Sequence, residues 1–353
     1  MDLSTKNQEQ VAGDNSTQNQ VVGTQNNTYV TINGLSVPDV TTFTATVTTQ
    51  VTQQALSLCT QVAYDVACKK MNEFESIWLP RVEHMEKVID NFAEPKFQFM
   101  LRDANITAAK SSRQEDLNIL AELLACHIEK GHDVKIDAGI NRAISVVHEV
   151  DLDSLSALTV ISSILNICPV DGNIDVGLQV LNDLYTKLLT AALPKDDAWI
   201  DNLDVVGAVN ILSGKFYKIE RLMSARLDGY ICVGIREETK EYEEAVQILE
   251  QNGFHKGILQ SNMCMPGYVR LPIVKTSGLK PELEPIISLY SKDSSLLQQA
   301  KKNFMIKWDS YATLKKVREW FEQIPVFFRI NSVGRALAQT NAKRCYSNYP
   351  DLI

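Results

Sequence analysis

The sequence predicts a mainly α protein. It reads as a multi-helix scaffold with a β-rich Gln/Asn/Gly assembly element at the amino end and a small α+β module at the carboxyl end. Three observations predict it. Apolar residues recur at steps of three and four through most of the chain, a short Gln/Val/Gly repeat fills the first 36 residues, and beyond about residue 254 apolar residues alternate between prolines. At 353 residues, 45% hydrophobic and 22% charged, the chain has material for two or three cores. That balance excludes a wholly disordered, collagen-like or disulfide-stapled protein.

Residues 1–36 carry the repeat. Gln8-Glu9-Gln10-Val11-Ala12-Gly13 returns as Gln18-Asn19-Gln20-Val21-Val22-Gly23, and Tyr29-Val30-Thr31-Ile32-Asn33-Gly34 is a weaker third unit. Each unit pairs a β-prone stretch with a Gly or Asn that accepts positive φ. Three rungs bury too little to stand alone, so the segment is read as β-rich self-assembly between subunits through Gln10, Val11, Gln20, Val21, Val30 and Ile32. The alternative is a polar disordered tail.

Residues 37–91 form the next unit. Ser36-Val37-Pro38-Asp39 is a helix start, and from Val40 to Tyr64 there are 25 positions without a charge. As a helix this stretch would extend about 37 Å, enough to cross a bilayer core. Val40, Phe43, Val47, Val51, Ala55, Leu58, Val62 and Val66 make one apolar stripe, while Thr42, Thr46, Thr49, Thr52, Gln53 and Gln54 are among the polar, uncharged remainder. Such a helix is too polar to insert singly, but a bundle could turn the Thr/Gln face to a water-filled pore. The competing reading is an oligomer seam that never meets lipid.

Residues 92–253 read as the helical scaffold. Helices are expected from about Gln114 to Gly131, from Asp153 to Pro169, over 174–193 and over 241–251. Residues 254–353 read as the α+β module: a strand over 268–275, helices over 294–306 and 310–323, a strand over 325–330, and a last helix capped by Asn331 through Ala338. A winged-helix-like arrangement is one topology this order allows.

Searches for enzymatic chemistry return little. The five histidines are dispersed, His127 and His132 are spaced wrongly for a helical metal pair, and Ser213-Gly214-Lys215-Phe216 lacks the flanking residues of a phosphate loop. No nucleophile elbow, kinase signature or dinucleotide fingerprint occurs. The expectation is a non-enzymatic protein without catalytic residues, metal or cofactor. Seven scattered cysteines and an opening without a basic–apolar leader are expected of a reduced, cytoplasmic chain.

Charge is distributed unevenly. Between 300 and 345 stand ten basic residues, Lys301, Lys302, Lys307, Lys315, Lys316, Arg318, Arg329, Arg335, Lys343 and Arg344, against Asp309, Glu319 and Glu322. That surplus of seven in a chain of net −8 leaves −15 for the remainder. Phe304, Trp308, Tyr311, Trp320, Phe321, Phe327 and Phe328 interleave with the cations, the composition of a single-strand nucleic-acid site. The first eight cations are the candidate oligonucleotide ligands. The alternative is a solvated basic face over buried rings.

The repeats at 8–13 and 18–23, the Ile32-Asn33-Gly34-Leu35-Ser36 junction, the helical middle and the Phe328-Arg329-Ile330…Gly334-Arg335-Ala336-Leu337-Ala338 ending together resemble the membrane-active effectors of Hailong-type bacterial anti-phage defence systems. The resemblance implies a homotetramer that is cytoplasmic at rest, enters the inner membrane when activated, and opens an ion channel that aborts infection. It also implies regulation by a short single-stranded DNA oligomer made by a partner nucleotidyltransferase. The residue-level alternatives are a soluble oligomeric nucleic-acid-binding or scaffold protein without membrane activity and, third, a nucleotide-processing enzyme.

Overall fold

The computed structural model describes residues 61–85, 88–131, 133–214 and 218–352, together with positions 42, 45, 46, 48 and 49. The assembly residues Gln10, Val11, Gln20, Val21, Val30 and Ile32 and the stripe residues Val40, Phe43, Val47, Val51 and Leu58 lie outside the described residues. At the described positions of the uncharged segment the backbone is helical. Thr46 and Thr49 there donate their hydroxyls to the carbonyls of Thr42 and Ala45, each at 2.8 Å. The protein is mainly helical, as the sequence predicts, with fourteen α-helices and five short strands in residues 61–352.

The scaffold begins with α1 (Gln61–Val82), whose Ala67, Met71, Phe74, Trp78 and Val82 are buried. After α2 (Val88–Ala93) these pack on α3 (Pro95–Lys110) and α4 (Gln114–Lys130). Proline at the first position of α3 starts a helix rather than ending one, because its missing N–H would have no partner there anyway. α5 (Val134–Val146), α6 (Leu152–Asn166) and α7 (Ile174–Leu188) follow, capped by Asp133, Asp151 and Asn173 through their side-chain oxygens. α6 is buried on nearly every face, its aliphatic residues interleaved with small hydroxyl residues such as Ser156, Thr159 and Ser163.

α8 (Ala198–Val205) leads into β1 (Val209–Leu212), and α9 (Ile219–Arg226) follows. A smaller unit comes next: β2 (Ile235–Arg236), α10 (Lys240–Gln251), β3 (Gln260–Ser261), β4 (Tyr268–Arg270) and α11 (Glu284–Ser288). Its antiparallel sheet has the order β2-β4-β3, and its own core gathers Ile235, Leu249, Val269, Leu271, Ile286 and Tyr290. The chain then returns to the scaffold through α12 (Ser294–Asp309), α13 (Ala312–Phe321), β5 (Phe327–Ile330) and α14 (Ser332–Cys345). Phe304, Trp308, Leu314, Phe321, Phe328 and Leu337 join the main core, so packing divides the stretch 254–353 between two cores.

α14 lies at the centre, packed on α5, α6 and α4. Its buried Asn341 donates to Thr159 of α6 at 2.8 Å, which fixes the rotation of one helix on the other. Gly334 sits where a Cβ would strike the Ala208 carbonyl just before β1, so only glycine allows that approach.

Two sequence expectations are corrected by local chemistry. The strand expected over 268–275 stops at Arg270. Leu271 donates its N–H to the Tyr290 hydroxyl at 2.8 Å and Pro272 has none to give, so the ladder cannot continue. The strand at 327–330 does not fold back on a neighbouring wing. It pairs antiparallel with β1 of the scaffold, Val209 opposite Ile330 and Asn210 opposite Arg329.

The two cores are joined by a buried arginine. Arg270, 2% exposed, donates to the carbonyls of Gly229 (3.0 Å), Leu271 (2.9 Å), Ile273 (3.1 Å) and Gly172 (2.6 Å), and lies over the Tyr230 ring. Replacing it by methionine strands these carbonyls, and we expect a loss of about 3 kcal/mol. Arg270→Lys is expected to recover little, because an ammonium lacks the planar fork. Urea unfolding of the two variants measures both.

A second buried polar cluster sits between α4 and α5. His127 Nδ1 is 2.6 Å from Asp137 Oδ1, Lys96 meets the other carboxylate oxygen, and Phe97 stacks on the imidazole at 5.5 Å. Burial pushes the His127 imidazole below the usual histidine range, against the pull of Asp137. The unfolded chain therefore binds a proton that the folded one resists. This contribution to stability is complete above about pH 6.5, the unfolded value, and is lost as pH falls from there through the lower folded value. The thermal midpoint is expected to drop between pH 7.5 and pH 5.5, and to drop less in His127→Gln.

Candidate anion-binding site

β5 alternates strictly: Phe328 and Ile330 are buried, while Arg329 is exposed on the opposite face with Phe327 beside it. Asn331 then ends the strand and caps α14, accepting from Val333 N (3.0 Å) and Gly334 N (3.2 Å). This tight strand-to-helix junction places Arg335, on the first turn of α14, close to Arg329. Between them opens a cavity of about 300 Å³. Its walls are Ser162, Leu165 and Asn166 at the end of α6, Leu222 of α9, Phe321 of α13 and residues 327–330.

The electrostatics of this cavity are one-sided. Two guanidinium groups line it and no carboxylate does. Neither Arg329 nor Arg335 takes part in an ion pair among the described residues. The carbonyl end of α6, a source of partial negative charge, is already met by Arg226, which donates to Ile167 O at 3.0 Å and to Leu165 O. Asn166 donates to Ser162 O at 2.8 Å within α6. An apolar floor of Leu, Ile and Phe beneath two unpaired forked donors suits an anion joined to a flat or apolar body.

The remaining predicted ligands are placed differently. Lys307 pairs with Asp175 at 2.6 Å. Arg318 holds Asp309 through two bonds of 2.7 and 2.6 Å and reaches Glu322 at 3.3 Å. Lys315 lies 4.0 Å from Glu319. Lys301, Lys302 and Lys316 make no ion pair among the described residues. Lys302 borders a separate open depression with Lys218, Arg318, Glu220, Asp309 and Glu322, where charges of both signs balance. Lys343 is likewise tied to Asp351 at 3.0 Å and Glu122 at 3.8 Å. The structure thus brings Arg329 and Arg335 together and spreads the others along α12 and α13.

The aromatic residues divide in the same way. Phe304, Trp308, Phe321 and Phe328 are at most 1% exposed, and the Trp308 indole donates inward to Leu314 O at 2.9 Å. These rings are core. Phe327, half-buried, borders the cavity beside the edges of Phe321 and Phe328. Ser162, Asn166 and Leu222 escaped the sequence reading. They lie far from the basic stretch in the chain, and only the pairing of β5 with β1 brings them near it.

Among the described residues no group of His, Cys, Asp and Glu could hold a metal ion, and no helix is long and apolar enough to cross a membrane. No curated protein and no solved structure matches the chain. The model of a "-like" protein family of unknown function matches residues 34–352, nearly the whole length, and the chain belongs to that family.

Proposed function

We propose that the protein is a non-enzymatic, oligomeric effector regulated by a short single-stranded oligonucleotide, with the ligand's phosphate held between Arg329 and Arg335. The observation that carries this reading is the pair of unpaired guanidinium groups over an apolar cavity free of carboxylates. Arginine forks match phosphate geometry, and the floor of Leu165, Leu222 and Phe327 gives a base an apolar surface. The resemblance to Hailong-type effectors supplies the rest of the proposal: a tetramer, a partner nucleotidyltransferase acting through its product, and a membrane channel in the released state that serves anti-phage defence.

A second reading keeps the ligand and drops the membrane, and one observation favours it. On α1 the stripe residues Val62 and Val66 are 74% and 55% exposed, while the core stripe lies on a different face. Two exposed valines on a helix whose other face is seated on the scaffold make a strip small enough for a seam between subunits and too short for a span of lipid.

Binding of a labelled short DNA single strand, followed by anisotropy, tests the ligand site. Arg329→Glu and Arg335→Glu are each expected to weaken it more than tenfold and to reduce the slope of log affinity against log salt by about 0.7 per lost phosphate contact. Lys315→Glu is expected to leave both nearly unchanged. Equal losses at all three positions would show diffuse attraction and no site.

Dye release from liposomes separates the two readings. Protein freed of its ligand is expected to release dye, and Val47→Asp or Val51→Asp to abolish release while leaving DNA binding intact. Inert protein, indifferent to both substitutions, leaves the soluble reading standing.

A further inference from the structure

A groove of about 250 Å³ lies away from the arginine cavity, where the turn before α8 meets the end of α13. Its walls are aromatic and proline surfaces. Trp199 and Trp320 pack with ring centroids 5.8 Å apart and planes at 37°, flanked by Pro194 and Pro325. Its rim carries Asp196 and Asp197, both exposed, with Lys195 and Gln323.

The two tryptophans differ in one respect. The Trp320 indole donates to Pro194 O at 3.0 Å, which locks its ring as a half-buried wall. Trp199 is 5% exposed and edges onto Phe328 at 5.7 Å, yet its indole N–H has no hydrogen-bond partner in the protein. That N–H, unlike the sealed indole N–H of Trp78, keeps some access to solvent and is open to an incoming acceptor. Here the groove it lines is the place from which an acceptor can come.

The rim charges are also uncommitted. Neither Asp196 nor Asp197 takes part in an ion pair, and Asp196 only caps Ala198 N at 3.2 Å. Their two negative charges exceed the one of Lys195. Flat rings and prolines, a donor without an acceptor, and a carboxylate pair at one end together match an extended proline-containing peptide. Its ridges would stack on the rings, a carbonyl would accept from the indole, and a basic side chain would meet the carboxylates.

We infer that the Trp199–Trp320 groove docks an extended, proline-containing segment of a partner protein, with the Trp199 N–H bound to a peptide carbonyl and a partner Arg or Lys against Asp196 and Asp197. This site is independent of the oligonucleotide ligand.

The chain has four tryptophans, so indole N–H signals from nitrogen-15-labelled full-length protein are few and are assigned by single Trp→Phe variants. The probe is a short synthetic peptide alternating proline and arginine. The Trp199 signal is expected to shift and saturate, and the Trp78 and Trp308 signals to stay. Asp196→Asn with Asp197→Asn, and separately Trp320→Ala, are expected to weaken the peptide about tenfold. A peptide with glutamate for arginine is expected not to bind, and added short DNA not to compete. Three results overturn the inference: a Trp199 signal unmoved at millimolar peptide, equal response to the glutamate peptide, or a shift that follows protein concentration without peptide. The last would assign the groove to a second copy of the chain.

Discussion

The molecule turns on a guanidinium that has no counter-ion. Arg270 is buried where two cores meet, and a buried cation is costly unless its donors find acceptors. Four carbonyls from three stretches accept from its two terminal nitrogens, Gly172 ahead of α7, Gly229 after α9, and Leu271 with Ile273 after β4, while its Nε is left without a partner. The side chain can reach them only because the backbones come very close. A Cβ on Gly172 would run into the Pro272 carbonyl, and one on Gly229 into Ile273. The Tyr230 hydroxyl closes the same junction by donating to Asp171 O. The small sheet is therefore fastened to the scaffold by backbone carbonyls turned inward, and Leu271 and Pro272 leave the strand there.

Much of this was legible in the sequence, and the limits have physical causes. The helices over 114–130, 152–166, 240–251 and 294–309 follow from apolar periodicity, and the last three also have a capping Asp or Thr at their starts, so the signals are local. The last helix begins at the expected Asn331 cap but continues to Cys345. Its apolar stripe passes into Thr340 and Asn341, polar in sequence but buried in the fold, with Asn341 bonded to α6. The pairing of β5 with β1 could not be read, because neither strand names its partner and the two are remote in the chain. Arg270 reads as an ordinary surface arginine. Only the fold supplies the carbonyls that bring it inside.

The candidate site shows the same division. Cations interleaved with aromatics point to the stretch that holds Arg329 and Arg335, but composition cannot say which charges remain available. Arg318 and Lys307 are taken by Asp309 and Asp175 at 2.6 Å, and the Phe304 and Trp308 rings are taken by the core. Of the ten cations, Lys307, Lys315, Arg318 and Lys343 are tied in ion pairs, and six remain without one among the described residues. Arg329 stays free because strand alternation turns it away from the core. Arg335 stays free because the first turn of α14 has Gly334 and Val333 on its packed side.

The position of that pair bears on how a ligand could control the amino-terminal segment. A ligand shifts an equilibrium only by its different affinity for the two states. One that bridges Arg329 and Arg335 clamps the junction of β5 with α14 against the ends of α6, α9 and α13. α14 packs on α4, and α4 carries α1, so the cavity and α1 share one contiguous set of packed helices. On α1 the buried residues Ala67, Met71, Phe74, Trp78 and Val82 define one face, and Val62 with Val66 define another, about 140° away at 100° per residue. The first face seats the helix on its own subunit and leaves the second uncovered. A change in how α14 seats on α4 would therefore be felt at α1 through α4, because α14 and α1 share that neighbour.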